Sequence, residues 1–96
     1  MTDGAGSAFR RTVTIRNRRG LHARAAAKFV KLAEHFEAEI TVAKNESSVS
    51  GLSIMGLMML AASPGYSIRV TASGPEAERV IDALEQLVAS RFGEES

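Results

Sequence analysis

Two kinds of hydrophobic periodicity alternate along this chain, and their order restricts the folds that it can adopt. Period-two patterns typical of strands with one buried face cover residues 9–15, 39–43 and 66–72, and after a turn residues 47–50 are predicted to form a short partner strand. Helical spacing of apolar residues covers 22–36, 53–61 and, after a start signal at 73–78, a third stretch that runs to 93. The order is therefore β-α-β-β-α-β-α. Because three helices on four short strands must cover one face of a single sheet to be buried, we predict a two-layer α+β domain.

The chain is too short for more than one such domain. Its 96 residues predict a single domain over 9–93, preceded by a disordered tail over 1–8 that has two glycines, an acid and no apolar run. That tail does not have the composition of a signal peptide. The longest apolar stretch, 54–62, is too short to cross a bilayer, so we expect a cytoplasmic protein without membrane insertion.

Composition excludes several classes of site. Cysteine is absent, which excludes disulfides, iron–sulfur clusters and thiolate zinc sites, and two histidines are too few for a histidine-rich metal cage, so no cofactor is expected. Twelve Lys and Arg against eleven Asp and Glu leave a net charge of +1, which is not that of a polycation that coats nucleic acid. So small a domain favours a carrier, a binding module or a site that a partner completes.

The segment between the first strand and the first helix carries the candidate chemistry. Gly20 allows a tight turn, and His22 falls at or next to the N-cap of the helix, where unpaired N–H groups and the helix dipole attract phosphate. Arg24 adds a forked donor for the same anion. A neutral imidazole beside an anion site, open to solvent, is the minimum needed to accept and release a phosphoryl group. The alternative is that His22 only caps the helix and Arg24 is a solvated first-turn residue.

Basic residues cluster around that segment in the sequence. They are Arg16, Arg18, Arg19, Arg24, Lys28 and Lys31. With a net charge near zero, such a cluster favours steering toward acidic partner surfaces, although a solvated charged face has the same composition. His35, late in the first predicted helix, is assigned no role.

Two motifs resemble those of a known family. Gly20-Leu-His-Ala-Arg24 is similar to the phosphorylation signature of HPr, the histidine-containing phosphocarrier of the phosphoenolpyruvate:sugar phosphotransferase system, and Ser53-Ile-Met-Gly-Leu-Met58 resembles its regulatory-serine segment. The resemblance covers residues 10–92. It implies an open-faced β-sandwich, in which a four-stranded antiparallel sheet is covered on one face by three helices in the order predicted above.

The resemblance also implies roles for the residues of the first motif. His22 matches the histidine that is phosphorylated at Nδ1 by phosphoenolpyruvate through enzyme I and then passes the phosphoryl group to an EIIA-type domain, and Arg24 matches the arginine that steadies that group. Such a protein is a monomeric carrier and not an enzyme. Ala25 departs from the family's usual proline, and because alanine is compatible with a helix we expect the function to survive.

The second motif has two interpretations. Ser53 lies where a helix N-cap is expected, and serine is a preferred cap. Its match to the regulatory serine implies phosphorylation by an HPr kinase/phosphorylase, although Leu52 departs from the basic residue that often precedes it.

The second predicted helix is apolar on nearly all sides. Leu57, Leu60 and Ala61 are predicted to point inward, which leaves a methionine-rich side that is either core or an adaptable partner surface. We favour the partner surface. With the resemblance, its residues are Ala23, Ile54, Met55 and Met58.

Three alternatives remain open at this stage. The downstream chain could be a nitrogen-type regulatory relay (NPr-like) instead of sugar uptake. A nucleic-acid-binding module could use the arginines within residues 10–19, although the chain has four Phe, one Tyr and no Trp for base stacking and these fall mostly on core positions. A purely regulatory relative would act through Ser53 without histidine chemistry, against which the presence of both His22 and Arg24 argues.

Overall fold

The computed structural model describes residues 8–60 and 62–94, and their elements follow the predicted order. These are β1 (Ala8–Thr14), α1 (Ala23–Ala33), β2 (Glu39–Lys44), β3 (Ser47–Ser50), α2 (Ile54–Met59), β4 (Ser67–Ser73), α3 (Ala77–Ala89) and a closing 3-10 turn (Arg91–Gly93). β1 begins one residue earlier than expected. The rest of the predicted tail, residues 1–7, lies outside the described residues, as does Ala61 after the second helix.

The strands form one antiparallel sheet in the order β1-β4-β2-β3. β4 lies between β1 and β2, and its alternate residues Ile68, Val70 and Ala72 are buried. Ile68 is opposite Val13 of β1, and Val70 is opposite Val42 of β2. The intervening side chains of the sheet, among them Thr12 and Arg69, face outward and are exposed. The sheet therefore has one covered and one open face, as predicted.

The helices supply the other layer of the core. α1 buries Ala26, Phe29, Val30 and Ala33, which is the stripe that the spacing predicts. α3 buries Val80, Leu84 and Val88 along its own stripe. These side chains form a single hydrophobic cluster with those of the strands. None of the helices in the described ranges is long and apolar enough to cross a membrane.

An arginine lies on the inward side of β1. Arg11 occupies an odd position of the strand, and its guanidinium is paired with Asp82 at 3.2 Å and Glu85 at 2.5 Å on α3. The inward side of β1 can therefore accommodate a charged residue at this position, because acidic residues of α3 pair with it at the edge of the core.

Three predicted boundaries are wrong. α1 ends at Ala33 rather than 36. Tyr66, predicted as an inward strand residue, precedes β4 and is 53% exposed, with the Lys44 ammonium 4.5 Å from its ring centre. α3 ends at Ala89 and does not continue to 93, because Arg91 (φ 59°) and then Phe92 (φ 55°) adopt a left-handed conformation. That conformation turns the chain back and buries the Phe92 ring completely.

Candidate functional site

The turn after β1 is fixed by a close backbone approach. Gly20 has φ +65°, and a Cβ atom there would lie 2.2 Å from the carbonyl oxygen of Ala62. The next residue, Leu21, donates its N–H to that same oxygen at 3.0 Å and is buried. After this turn, α1 begins, and its N-cap is His22 in an extended conformation. The sequence predicts His22 at this place.

The His22 ring makes no capping hydrogen bond to the helix. Its Nε2 atom instead lies 2.6 Å from Oε2 of Glu94, in the chain segment that follows the 3-10 turn. His22 was expected to be open to solvent, but its side chain is only 21% exposed because this contact covers part of the ring. In the described ranges of the chain, Nδ1 has no hydrogen-bond partner.

Sequence reasoning missed Glu94 and the residue that helps to hold it. Asn17 is fully buried, and its Nδ2 donates to the Gly20 carbonyl at 2.9 Å and to Oε1 of Glu94 at 3.1 Å. The hydrogen bond from His22, and secondly that from Asn17, lower the pKa of the Glu94 carboxyl against the opposing effect of desolvation. Glu94 and His22 are 72 positions apart, so no local spacing could have indicated the contact.

The arginines of the segment line an open cavity beside this pair. Arg18, Arg19, Arg24 and Glu94 surround a volume of about 340 Å³. Three guanidinium groups against one carboxylate give the cavity the charge of an anion site. The first turn of α1 carries no acidic residue, and its N–H groups before Ala26 have no partner within the helix.

The other members of the predicted basic cluster do not line this cavity. Arg16 lines a separate hollow between β1 and α3, and Lys31 lines a groove between α1 and Ile54. Lys28 donates to the Phe92 carbonyl at 2.6 Å and so fastens the C-terminal turn to α1. The cluster thus supplies the cavity with only three of its six members.

Ala25 lies in α1 as the sequence predicts, whereas His35, predicted late in that helix, follows its end. Ala25 is buried within the first turns of α1, and the helix passes through it without interruption. His35 is exposed beyond the end of α1, where its Nδ1 lies 2.7 Å from the Lys31 carbonyl, far along the helix from the cavity.

Ser53 is the N-cap of α2. Its Oγ accepts a hydrogen bond from the N–H of Gly56 at 2.9 Å, and the residue is half-buried. The capping interpretation is confirmed. The phosphorylation of Ser53 stays a prediction.

The side chains of α2 divide sharply by exposure. Leu57 and Leu60 are buried, whereas Met55 is 70% and Met58 39% exposed. Leu52, Ile54 and Met59 are exposed as well, and with Met55 and Met58 they form the set that we call the apolar patch. Ala23, at the start of α1, is also exposed. The exposure of these methionines excludes a core role for them.

Known proteins are similar to this chain over most of its length, and solved structures share its fold. Residues 9–90 match the family described as PTS HPr component phosphorylation site. The phosphocarrier protein HPr of Cupriavidus necator is 45% identical over 84 residues, covering 88% of this chain and 94% of that protein. The phosphocarrier protein NPr of Shewanella violacea is 44% identical, covering 90% and 94% respectively. The crystal structure of HPr-C-His from Thermoanaerobacter tengcongensis superposes with a TM-score of 0.87 at 43% identity, covering 92% of this chain and 99% of that one.

Proposed function

Since this chain belongs to the HPr family of phosphocarrier proteins of the phosphotransferase system, we propose that His22 is the residue that carries the phosphoryl group, at its Nδ1 atom. One observation carries the proposal: the His22 imidazole is the N-cap of α1 beside a cavity lined by three arginines, and its Nδ1 is unpartnered among the described residues. A nucleophilic nitrogen and an anion site therefore lie together at the start of α1.

The donor in this proposal is phospho-enzyme I and the acceptor an EIIA-type domain. Phosphoryl transfer between two imidazoles needs in-line approach and stabilisation of charge on the phosphoryl oxygens more than it needs further covalent chemistry. Arg24 and the free N–H groups of the first turn of α1 provide that stabilisation from this side. The partner supplies the other half of the site, so the carrier has no turnover of its own.

The partners dock on the apolar patch and the exposed start of α1. Ala23, Ile54, Met55 and Met58 are all exposed, and unbranched methionine side chains adapt to more than one partner. Enzyme I, the EIIA-type domain and an HPr kinase/phosphorylase would use this surface in turn. We expect the free protein to be a monomer that binds neither nucleic acid nor a membrane.

Ser53 is proposed as a regulatory phosphorylation site. A phosphate on its Oγ adds a charge of about −1.5 to −2 at a position flanked by the apolar patch. The N-terminal end of α2 tolerates that charge, whereas an apolar docking partner does not. Phosphorylation of Ser53 would therefore weaken docking without unfolding the helix.

A nitrogen-type relay is the second candidate for the downstream pathway. The similarity to the NPr of Shewanella violacea, 44% identical, supports it, whereas HPr proteins such as that of Cupriavidus necator, at 45% identity, dominate among the similar proteins and favour sugar uptake. Both candidates use the same chemistry at His22 and differ only in the acceptor.

The test is phosphorylation in a reconstituted system. With enzyme I and labelled phosphoenolpyruvate, the wild-type protein is expected to gain an acid-labile, base-stable label, and His22→Ala is expected to gain none. His35→Ala is the matched control and is expected to label like the wild type. Label that persists in His22→Ala would overturn the proposal.

A further inference from the structure

We infer that Glu94 is a positioning residue for phosphoryl transfer, which holds the His22 ring by its Nε2–H and leaves the Nδ1 lone pair free to receive the phosphoryl group. This inference rests on the proposed function, because it assigns Glu94 a part in the reaction at His22. It concerns the only polar side-chain contact made by the ring in the described ranges of the chain.

The geometry of the contact is that of a charge-assisted hydrogen bond. Oε2 of Glu94 lies 2.6 Å from Nε2 of His22, and its other oxygen accepts from Asn17 Nδ2 at 3.1 Å. A carboxylate only accepts hydrogen bonds, so Nε2 is the nitrogen that carries the proton. In a neutral imidazole the other nitrogen, Nδ1, then has the lone pair.

The carboxylate is held at this place by the packing of the C-terminal turn. Phe92 is fully buried, and its carbonyl accepts a hydrogen bond from Lys28 Nζ at 2.6 Å. The carboxylate that follows two residues later is then fixed from the opposite side by buried Asn17. The contact with His22 is therefore supported by the hydrogen bond from Asn17 and by the buried turn that precedes Glu94.

The charges around Glu94 favour its ionised form. His22 and Asn17 donate to it, Lys28 lies near it, and three guanidinium groups share the cavity with it; these are Arg18, Arg19 and Arg24. The hydrogen bond from His22, then that from Asn17, and the charges of His22 and Lys28 lower the pKa of Glu94 below the usual glutamate value of 4.5. The carboxylate is thus charged throughout the neutral range.

The negative charge of Glu94 stabilises the His22 ring during phosphoryl transfer. The Nδ1 lone pair of neutral His22 forms a bond to phosphorus while the nitrogen–phosphorus bond of the donor phosphohistidine breaks, and the electron pair of that bond returns to the donor imidazole. The proton on Nε2 of His22 stays in place, so the phosphorylated ring gains positive charge. The Glu94 carboxylate faces that charge at Nε2, as the carboxylate of a catalytic triad faces its imidazolium. The ring carbon between the two nitrogens separates the carboxylate from the incoming phosphoryl group.

Glu94→Ala and Glu94→Gln separate the hydrogen bond from the charge. Alanine removes both, whereas the amide oxygen of glutamine still accepts the Nε2–H but carries no charge. We expect phosphorylation by enzyme I to slow by about three- to tenfold in Glu94→Ala, because the His22 ring then loses both its hydrogen-bond acceptor and the facing charge. Glu94→Gln is expected to fall between it and the wild type. Glu46→Ala, at an exposed glutamate in the turn between β2 and β3, is the matched control and is expected to keep the wild-type rate.

Two further readouts distinguish positioning from a general structural effect. A ring Nε2–H resonance of His22 protected from solvent exchange is expected in nitrogen-resolved NMR spectra of the wild type and Glu94→Gln, and is expected to be lost in Glu94→Ala. The pH profile for hydrolysis of the isolated phosphoprotein is expected to move to lower pH by about half a unit in Glu94→Ala, because the phosphorylated ring then loses a facing charge.

The outcomes separate the two claims. A wild-type protein that enzyme I does not phosphorylate at His22 contradicts the proposed function. A wild-type protein that is phosphorylated there, with Glu94→Ala matching it in rate, ring N–H protection and hydrolysis profile, overturns the role of Glu94 alone. If Glu94→Ala were unfolded by circular dichroism, the comparison of Glu94→Gln with the wild type would decide the question by the same measurements.

Discussion

Gly20 is the residue on which the position of His22 depends most directly. It combines a left-handed backbone with an approach to the Ala62 carbonyl that leaves no room for a Cβ atom. The sequence indicated the turn at Gly20 but not the contact, because Ala62 is far away along the chain. Only the fold shows why the second residue before the histidine has to be glycine.

Gly20→Ala is expected to destabilise the protein by about 2–4 kcal/mol, because it adds a clash with backbone to the strain of a left-handed alanine. Gly65→Ala is the matched control. Gly65 has φ +89° with no atom within 4 Å of its Cβ position, so that variant incurs strain alone, about 1 kcal/mol. Urea unfolding of both variants measures the difference, and equal losses would contradict the role assigned to the contact.

At the scale of elements, the two sides of the short helix α2 have different roles: one stabilises the fold and the other is proposed to bind partners. Its buried side, with Leu57 at 0% exposure, attaches it to the core, and its N-cap Ser53 closes its first turn. Its remaining side is apolar yet exposed. Helical spacing of Leu57 and Leu60 within residues 53–61 predicted the helix and its inward leucines, although the helix is apolar on nearly all sides.

Ser53→Ala is expected to lower the free energy of unfolding by about 1 kcal/mol, since it removes the acceptor for the Gly56 N–H. Ser53→Asp keeps a capping oxygen and is expected to retain most of the wild-type stability. With an HPr kinase and ATP, the wild type is expected to gain an acid-stable label that both variants lack. An unchanged label in Ser53→Ala would place the modification elsewhere.

The end of α3 shows what periodicity could not predict. The apolar stripe continues in sequence through Phe92, which suggested a helix as far as 93. The chain leaves the helix at Ser90 because burial of the Phe92 ring compensates for the left-handed backbone of Arg91 and Phe92, and such a gain depends on tertiary packing. The contact between Glu94 and His22 follows from that departure, so it too was beyond sequence reasoning.

At the scale of the whole molecule, the candidate site is assembled from two distant parts of the chain, the segment 17–24 and the C-terminal segment. Asn17 and Gly20 come from the loop after β1, His22 and Arg24 from the start of α1, and Glu94 from the C-terminal segment. The sequence predicted the loop and the helix start because they are local. The net charge of +1 gives no indication of the local positive charge at the cavity, which three arginines line.

Docking on the apolar patch is tested by a charge placed at its most exposed predicted interface residue. Met55→Glu is expected to slow phosphorylation by enzyme I about tenfold, because an unpaired carboxylate would have to be desolvated on docking. Its stability is expected to match that of the wild type, since Met55 is 70% exposed. Ser48→Glu adds the same charge at an exposed position of β3 and is expected to keep the wild-type rate. Equal phosphorylation rates for the two variants would show that the apolar patch is not part of the docking surface.

The central claim is that phosphoryl chemistry occurs at one nitrogen of one histidine. Nitrogen-15 and phosphorus-31 NMR of the protein, phosphorylated by enzyme I and phosphoenolpyruvate, tests it most directly, because a phosphorus–nitrogen coupling identifies the bonded atom. The coupling is expected at Nδ1 of His22, with Nε2 of the same ring still protonated. A coupling at Nε2 of His22, a coupling within the His35 ring, or a phosphoprotein without coupling to either histidine would contradict the account.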